Sequence, residues 1–144
     1  MADDDIAYAT IDRDGGERFQ SLRRELGVSS FGMNVIVLAP GERGRIHAHE
    51  RQEEVYLVLE GTLTLLVEGE ETDHERGTLI RVAPGVRRQL VNRGPLDLHL
   101  LAIGGAGEHE GRDGKAWTAW DATESASPQE TPMPDDLPKA DLRT

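Results

Sequence analysis

Between Gly41 and Gly61 the chain reads GERGRIHAHERQEEVYLVLEG, which places two imidazoles and a carboxylate within reach of one another. His47 and His49 are two residues apart, so on a strand both face one way while Ala48 faces the other. Glu54 stands just before the next apolar run, and a turn between the two strands returns its carboxylate beside both rings. Two neutral imidazoles and a carboxylate form the facial donor set of non-haem iron, and the same set suits zinc, manganese, nickel or copper. Arg45 shares the face of the two histidines and is a candidate contact for an anionic ligand. His74, His99 and His109 belong to no comparable set and read as surface or structural residues.

The elements that must hold these groups are short strands. Val35–Leu38 is an apolar run ended by Ala39-Pro40-Gly41. Further strand-like runs cover Val55–Leu59, Leu63–Val67, Thr78–Val82, Val86–Asn92 and Leu96–Ile103, with Gly61, Gly69, Gly77, Pro84-Gly85 and Gly94-Pro95 between them. This pattern predicts an all-β sandwich or barrel, and no helix of crossover length interrupts it to suggest a parallel sheet. Residues 1–30 read as an N-terminal arm, with Phe19, Leu22 and Leu26 at helical spacing and Gly27 as the stop. Residues 105–144 read as a loop and a proline-rich tail with no core of its own. That tail is expected to be mobile or to lie along the barrel or a partner subunit, with Trp117 and Trp120 as its anchors.

Two segments together resemble the paired motifs of the cupin superfamily. The first motif runs Gly, five residues, His-x-His, three or four residues, Glu, six residues, Gly; Gly41, His47, His49, Glu54 and Gly61 fill every position, and the spacing to Gly61 selects Glu54 over Glu53. The second is GTLIRVAPGVRRQLVN, where Gly77, Gly85 and Asn92 fall in place, Ala83 stands at the usual Pro, and Arg88 stands at the usual His. The resemblance implies a double-stranded β-helix, a jelly-roll barrel over about residues 31–104, in a small single-domain protein of the cupin 2 conserved-barrel type. It also implies a metal site at His47, His49 and Glu54, and often a homodimer formed through a barrel face.

Arg88 departs from that pattern, because a guanidinium is always charged and has no lone pair for a metal. Its alternation with Leu90 points it into the barrel, where Glu54 is its natural partner. Two readings stand side by side. In one, the pocket binds a small anionic molecule through Arg88, Arg45, His47 and His49. In the other, His47, His49 and Glu54 hold one divalent transition metal (zinc, iron, manganese or nickel) and the protein is an oxygenase or isomerase of a small polar substrate.

Composition limits the partners. Among 144 residues the formal charge is −11, which repels nucleic-acid backbones and anionic membrane surfaces. No cysteine is present, so disulfides, thiolate metal sites and cysteine nucleophiles are excluded. The acidic N-terminus does not read as a signal peptide, and a cytoplasmic location is the expectation.

Overall fold

The structure is a computed structural model in which residues 5–12, 18–105 and 113–143 are described. His109 lies outside these residues. Ten strands dominate: β1 (Phe19–Ser21), β2 (Gly32–Leu38), β3 (Ile46–His49), β4 (Glu53–Glu60), β5 (Thr62–Val67), β6 (Glu70–Glu75), β7 (Leu79–Val82), β8 (Gln89–Val91), β9 (Leu98–Gly105) and β10 (Gly114–Trp117). They form a five-stranded sheet in the order β1-β2-β9-β4-β7, a three-stranded sheet β6-β5-β8 and a pair β10-β3, all antiparallel. Bridges His47 to Arg88 and Arg43 to Val91 join the pair to the β8 side, so two curved layers enclose one core. This is the double-stranded β-helix that the motif resemblance implies, and it meets the all-β expectation of the strand pattern.

Period-2 alternation decides what lies inside. On β9, Leu98, Leu100 and Ala102 are buried; opposite them on β4 lie Tyr56 and Val58, and Leu63, Leu65 and Leu90 come from the second layer. The core is aliphatic, as the scarcity of aromatic residues requires.

The helical arm is shorter than its periodicity predicts. Helix α1 spans only Leu22–Leu26, with the Ser21 hydroxyl accepting from Arg24 N–H at 3.3 Å and Gly27 ending it at φ 72°. Phe19 pairs with Ile36 as strand instead, because the ladder to β2 satisfies its backbone. Besides β1, two further strands are absent from the sequence reading. β6 is the all-polar EETDHE, an exposed strand with no alternation, formed because β5 offers it a full ladder. β10 falls in the stretch read as loop and pairs with β3 along its whole length.

The tail lies along this chain's own barrel. Trp117 is buried against Ile46 and Ala48, with Trp120 packed beside them. The Arg87 guanidinium lies 3.8 Å over the Trp117 ring and donates to Ala122 C=O at 3.0 Å, so Arg87 packs the tail onto the barrel. Trp117 is buried and Trp120 half-buried against this chain's own barrel, so the tail's anchors pack within the chain.

Three motif residues have purely structural roles. Asn92 has no exposed surface; its amide donates to Leu38 C=O and Leu96 C=O, both at 2.8 Å, and its Oδ1 accepts from Gly94 N–H at 3.0 Å. Gly61 sits at φ 81°, and a Cβ there would lie 2.6 Å from Asp97 C=O. Gly77 shares the left-handed φ, at 90°, but faces open space. Gly61→Ala is therefore expected to destabilise the protein by more than about 3 kcal/mol in urea unfolding, and Gly77→Ala by about 1 kcal/mol. Equal costs would contradict the close approach at Gly61.

Candidate functional site

β3 alternates as its sequence requires. Ile46 and Ala48 go into the layer under Trp117, while His47 and His49 face the barrel interior. The turn into β4 is fastened by Asp113, which is buried. Its carboxylate accepts from Arg51 N–H and Gln52 N–H, each at 2.9 Å, and its carbonyl accepts from Glu50 N–H at 3.1 Å. The fastened turn brings Glu54 back beside both imidazoles, and the donor atoms of His47, His49 and Glu54 all lie within 4.8 Å of one another. Glu54 Oε2 is 3.7 Å from His49 Nε2, and Glu54 Oε1 is 3.9 Å from His47 Nε2.

Arg88 enters the same cluster from the opposite layer and has no exposed surface. Its NH2 group donates to Glu54 Oε1 at 2.6 Å, its Nε–H to the Tyr56 hydroxyl at 3.1 Å, and its NH1 group to Val86 C=O at 3.1 Å. Tyr56 in turn donates to Glu54 Oε1. The contact with Glu54 is through one carboxylate oxygen, and Oε2 remains directed at His49. Arg88 thus lies behind the cavity wall, with each of its three nitrogens bonded to a protein group.

The charges follow from this geometry. Burial works to raise the Glu54 carboxyl, but the neighbouring cationic and imidazole groups outweigh it and hold the carboxyl well below the usual carboxylate range. The 3.9 Å gap to His47 exceeds a hydrogen bond, so the weight of that effect falls on Arg88 at 2.6 Å. Burial pushes the Tyr56 phenol far up, with Glu54 adding to it. Burial also lowers His49, and Glu54 opposes that shift only in part. His47 Nδ1 lies 3.1 Å from Arg45 C=O; as donor there, it leaves the Nε2 lone pair facing the cluster.

Tyr56 and Asp113 are the functional positions that the sequence reading lacks. Tyr56 had a signal: it lies two residues from Glu54 on one strand and so shares its face. Asp113 had none, because its pairing with residues 50–52 spans more than sixty positions. Arg45 lines the cavity but donates from Nε to Thr131 C=O at 2.7 Å. His99 is on the outer face of β9, buried, with Nδ1 3.6 Å from Glu60, and His74 pairs with Thr72 on exposed β6.

The cluster opens on a cavity of about 400 Å³. Phe19, Ile36, Leu38, Leu90, Ala102 and Met133 are apolar parts of its wall, and His47, His49, Glu54 and Tyr56 bring the polar cluster to it.

Comparison with known proteins follows the same residues. The profile described as "Cupin domain" matches residues 34–104. Residues 34–104 are a cupin domain of the cupin 2 type. Among curated proteins, this chain is 36% identical over 69 residues, 48% of its length, to the tetracenomycin polyketide synthase protein TcmJ of Streptomyces glaucescens. The match spans 46% of that relative, about half its length. A cupin-superfamily sugar phosphate isomerase from Silicibacter pomeroyi is 25% identical, with a TM-score of 0.63 over 79% of this chain and 78% of that one. A cupin protein from Bacteroides fragilis shares the fold at a TM-score of 0.64 and 22% identity, over 83% of this chain and 97% of that one.

Cupins commonly bind metal, and the donor chemistry of this cupin accommodates one in part. His47 Nε2, His49 and Glu54 Oε2 form a three-donor group, whereas the fourth corner holds a guanidinium that cannot ligate.

The paired charges also predict how stability depends on pH. Glu54 is depressed below its unfolded value of 4.5, so its stabilisation is complete above that pH and is lost as pH falls below it. His49 is depressed below 6.5, so its loss begins earlier and has the same sign. Arg88→Met alone should cost about 3–5 kcal/mol by leaving Glu54 unpaired, and Glu54→Gln with Arg88→Met should recover most of that. Between about pH 5 and pH 2 the melting temperature of the double variant should fall less than that of the wild type. Parallel melting curves would refute the pairing.

Proposed function

We propose that this cupin binds a small, largely apolar molecule inside the barrel, with a polar or anionic head group at His47 and His49 and beside Arg45. The observation that carries this reading is the cavity itself, in which apolar walls meet a polar cluster whose one carboxylate is already neutralised by Arg88. Arg88 serves as an internal counter-ion. It keeps Glu54 ionised and fixed, and the histidines supply the ligand's hydrogen bonds. A polyketide, the chemistry named for the Streptomyces relative, suits such walls. A phosphorylated sugar, the chemistry named for the Silicibacter relative, would set its hydroxyls against Phe19, Leu38 and Met133.

An aromatic sulfonate dye, 8-anilinonaphthalene-1-sulfonate, has the same division into ring body and anionic head. Its binding should be saturable in the wild type, and Ile36→Trp, which fills the cavity, should weaken it at least about tenfold. Unchanged binding to a correctly folded Ile36→Trp would overturn the assignment of the ligand to this cavity.

A second reading is favoured by one contact. Arg88 uses only Oε1 of Glu54, so Oε2 is left for a divalent transition metal held by His47, His49 and Glu54. Such an ion, zinc, iron, manganese or nickel, would supply Lewis acidity or oxygen activation to an oxygenase or isomerase. His47 would be oriented through its bond to Arg45 C=O, and Tyr56 would hold its proton on Glu54 Oε1. The buried positive charge of Arg88 weakens the site, so the purified protein is expected to carry substoichiometric metal. Arg88→His removes that charge and adds a nitrogen donor. Elemental analysis should then find higher occupancy in the variant, prepared identically. Full occupancy in the wild type would favour the enzyme; negligible metal in both would remove the metal reading.

A further inference from the structure

We propose that the C-terminal segment from Ser127 to Asp135 is an openable strap that closes the cavity, and that its Met133 determines which ligands fit. The inference rests on the ligand-binding reading above and adds a chain segment and a selecting residue to it.

Pro128 and Met133 line the main cavity, although both lie far outside the cupin domain in sequence. A second cleft, of about 300 Å³, lies on the other side of the same segment and is lined by Pro132, Met133, Pro134, Asp135, Arg43 and Arg45. Met133 and Arg45 border both spaces, so the two clefts adjoin at these residues. Displacement of the segment would merge the two into one larger opening.

Both ends of the strap are fixed. Ala126 pairs with Ala116 through reciprocal backbone hydrogen bonds of 2.9 and 3.1 Å. Beyond the strap, Leu137 N–H donates to Gly41 C=O at 2.8 Å, and Arg143 is tied to Arg93 C=O and Asp73. Between these anchors the attachment is sparse. Among the described residues, the strap's hydrogen bonds to the barrel are two, from Arg45 Nε–H to Thr131 C=O and from Arg43 Nε–H to Asp135 C=O, each 2.7 Å. Thr131 is the one buried residue of the strap, and Met133 is 41% exposed. A segment with few buried apolar contacts opens at low cost compared with the strands beneath it. Pro128 opens a single 3-10 turn over Pro128–Glu130, and Pro132 and Pro134 restrict the backbone beyond it, which favours motion as a unit between its anchors.

The strap also connects to the cluster. The residue that holds Thr131 by its guanidinium, Arg45, accepts from His47 Nδ1 at its own carbonyl. An anionic head group that draws Arg45 away from Thr131 loosens the strap at the moment of entry.

The test uses the full chain, 8-anilinonaphthalene-1-sulfonate, and its doubled form bis-anilinonaphthalene-sulfonate as a larger probe. In stopped-flow mixing, Arg43→Gln, which lies outside the main cavity, should speed association and dissociation of the smaller dye at least about fivefold. Met133→Ala should shift the ratio of affinities toward the larger probe at least about tenfold. Hydrogen exchange should be faster at residues 129–135 than in β4 and β9 and should slow when dye is bound. Loss of binding in Ile36→Trp, with rates and ratio unchanged in the strap variants, would overturn the strap and leave the cavity reading intact. Exchange at residues 129–135 as slow as in β9 would also overturn it. Undiminished binding in Ile36→Trp would remove the cavity reading itself, and the strap proposal with it.

Discussion

A guanidinium with no exposed surface is tolerable only where its charge is answered, and the centre of this barrel is organised around that requirement. Arg88 meets Glu54 at 2.6 Å, and Tyr56 is held between them, accepting from Arg88 and donating to the same carboxylate oxygen. Removing either charge leaves the other buried and unpaired, which costs far more than the pair itself contributes. The contact also ties the two layers together. Glu54 and Tyr56 stand on β4 of one sheet, and Arg88 comes from the segment leading into β8 of the other.

The consequences reach the histidines. A carboxylate fixed by Arg88 and Tyr56 through Oε1 presents Oε2 to His49, and His47 is oriented by Arg45 C=O. The cluster therefore has a defined polarity toward the cavity, with the two imidazoles in front and a compensated ion pair behind. Ligand chemistry and metal chemistry both remain open to such an arrangement, because the ion pair consumes one carboxylate oxygen and not both.

The extensions outside the cupin domain matter for the same reason. Asp113 fastens the turn that returns Glu54 to the histidines, β10 completes the ladder of β3, and the strap supplies part of the cavity wall. A barrel of the same topology without these additions would offer a differently shaped and more open site.

The sequence by itself determined an all-β architecture, the histidine pair and the inward direction of Arg88. Each of these rests on local periodicity: alternation puts His47 and His49 on one face, Arg88 with Leu90, and Glu54 at the head of an apolar strand. Periodicity failed where a partner overrides it. Phe19 took strand geometry because β2 offered a ladder, and the polar stretch Glu70–Glu75 became β6 because β5 did. Tertiary structure alone decided which groups meet. The one-oxygen contact of Arg88, its bond to the Tyr56 hydroxyl, the clamp by Asp113 and the placement of Pro128 and Met133 in the cavity wall all join residues distant in the chain. Such contacts depend on how the two layers and the tail pack, and no local pattern records that.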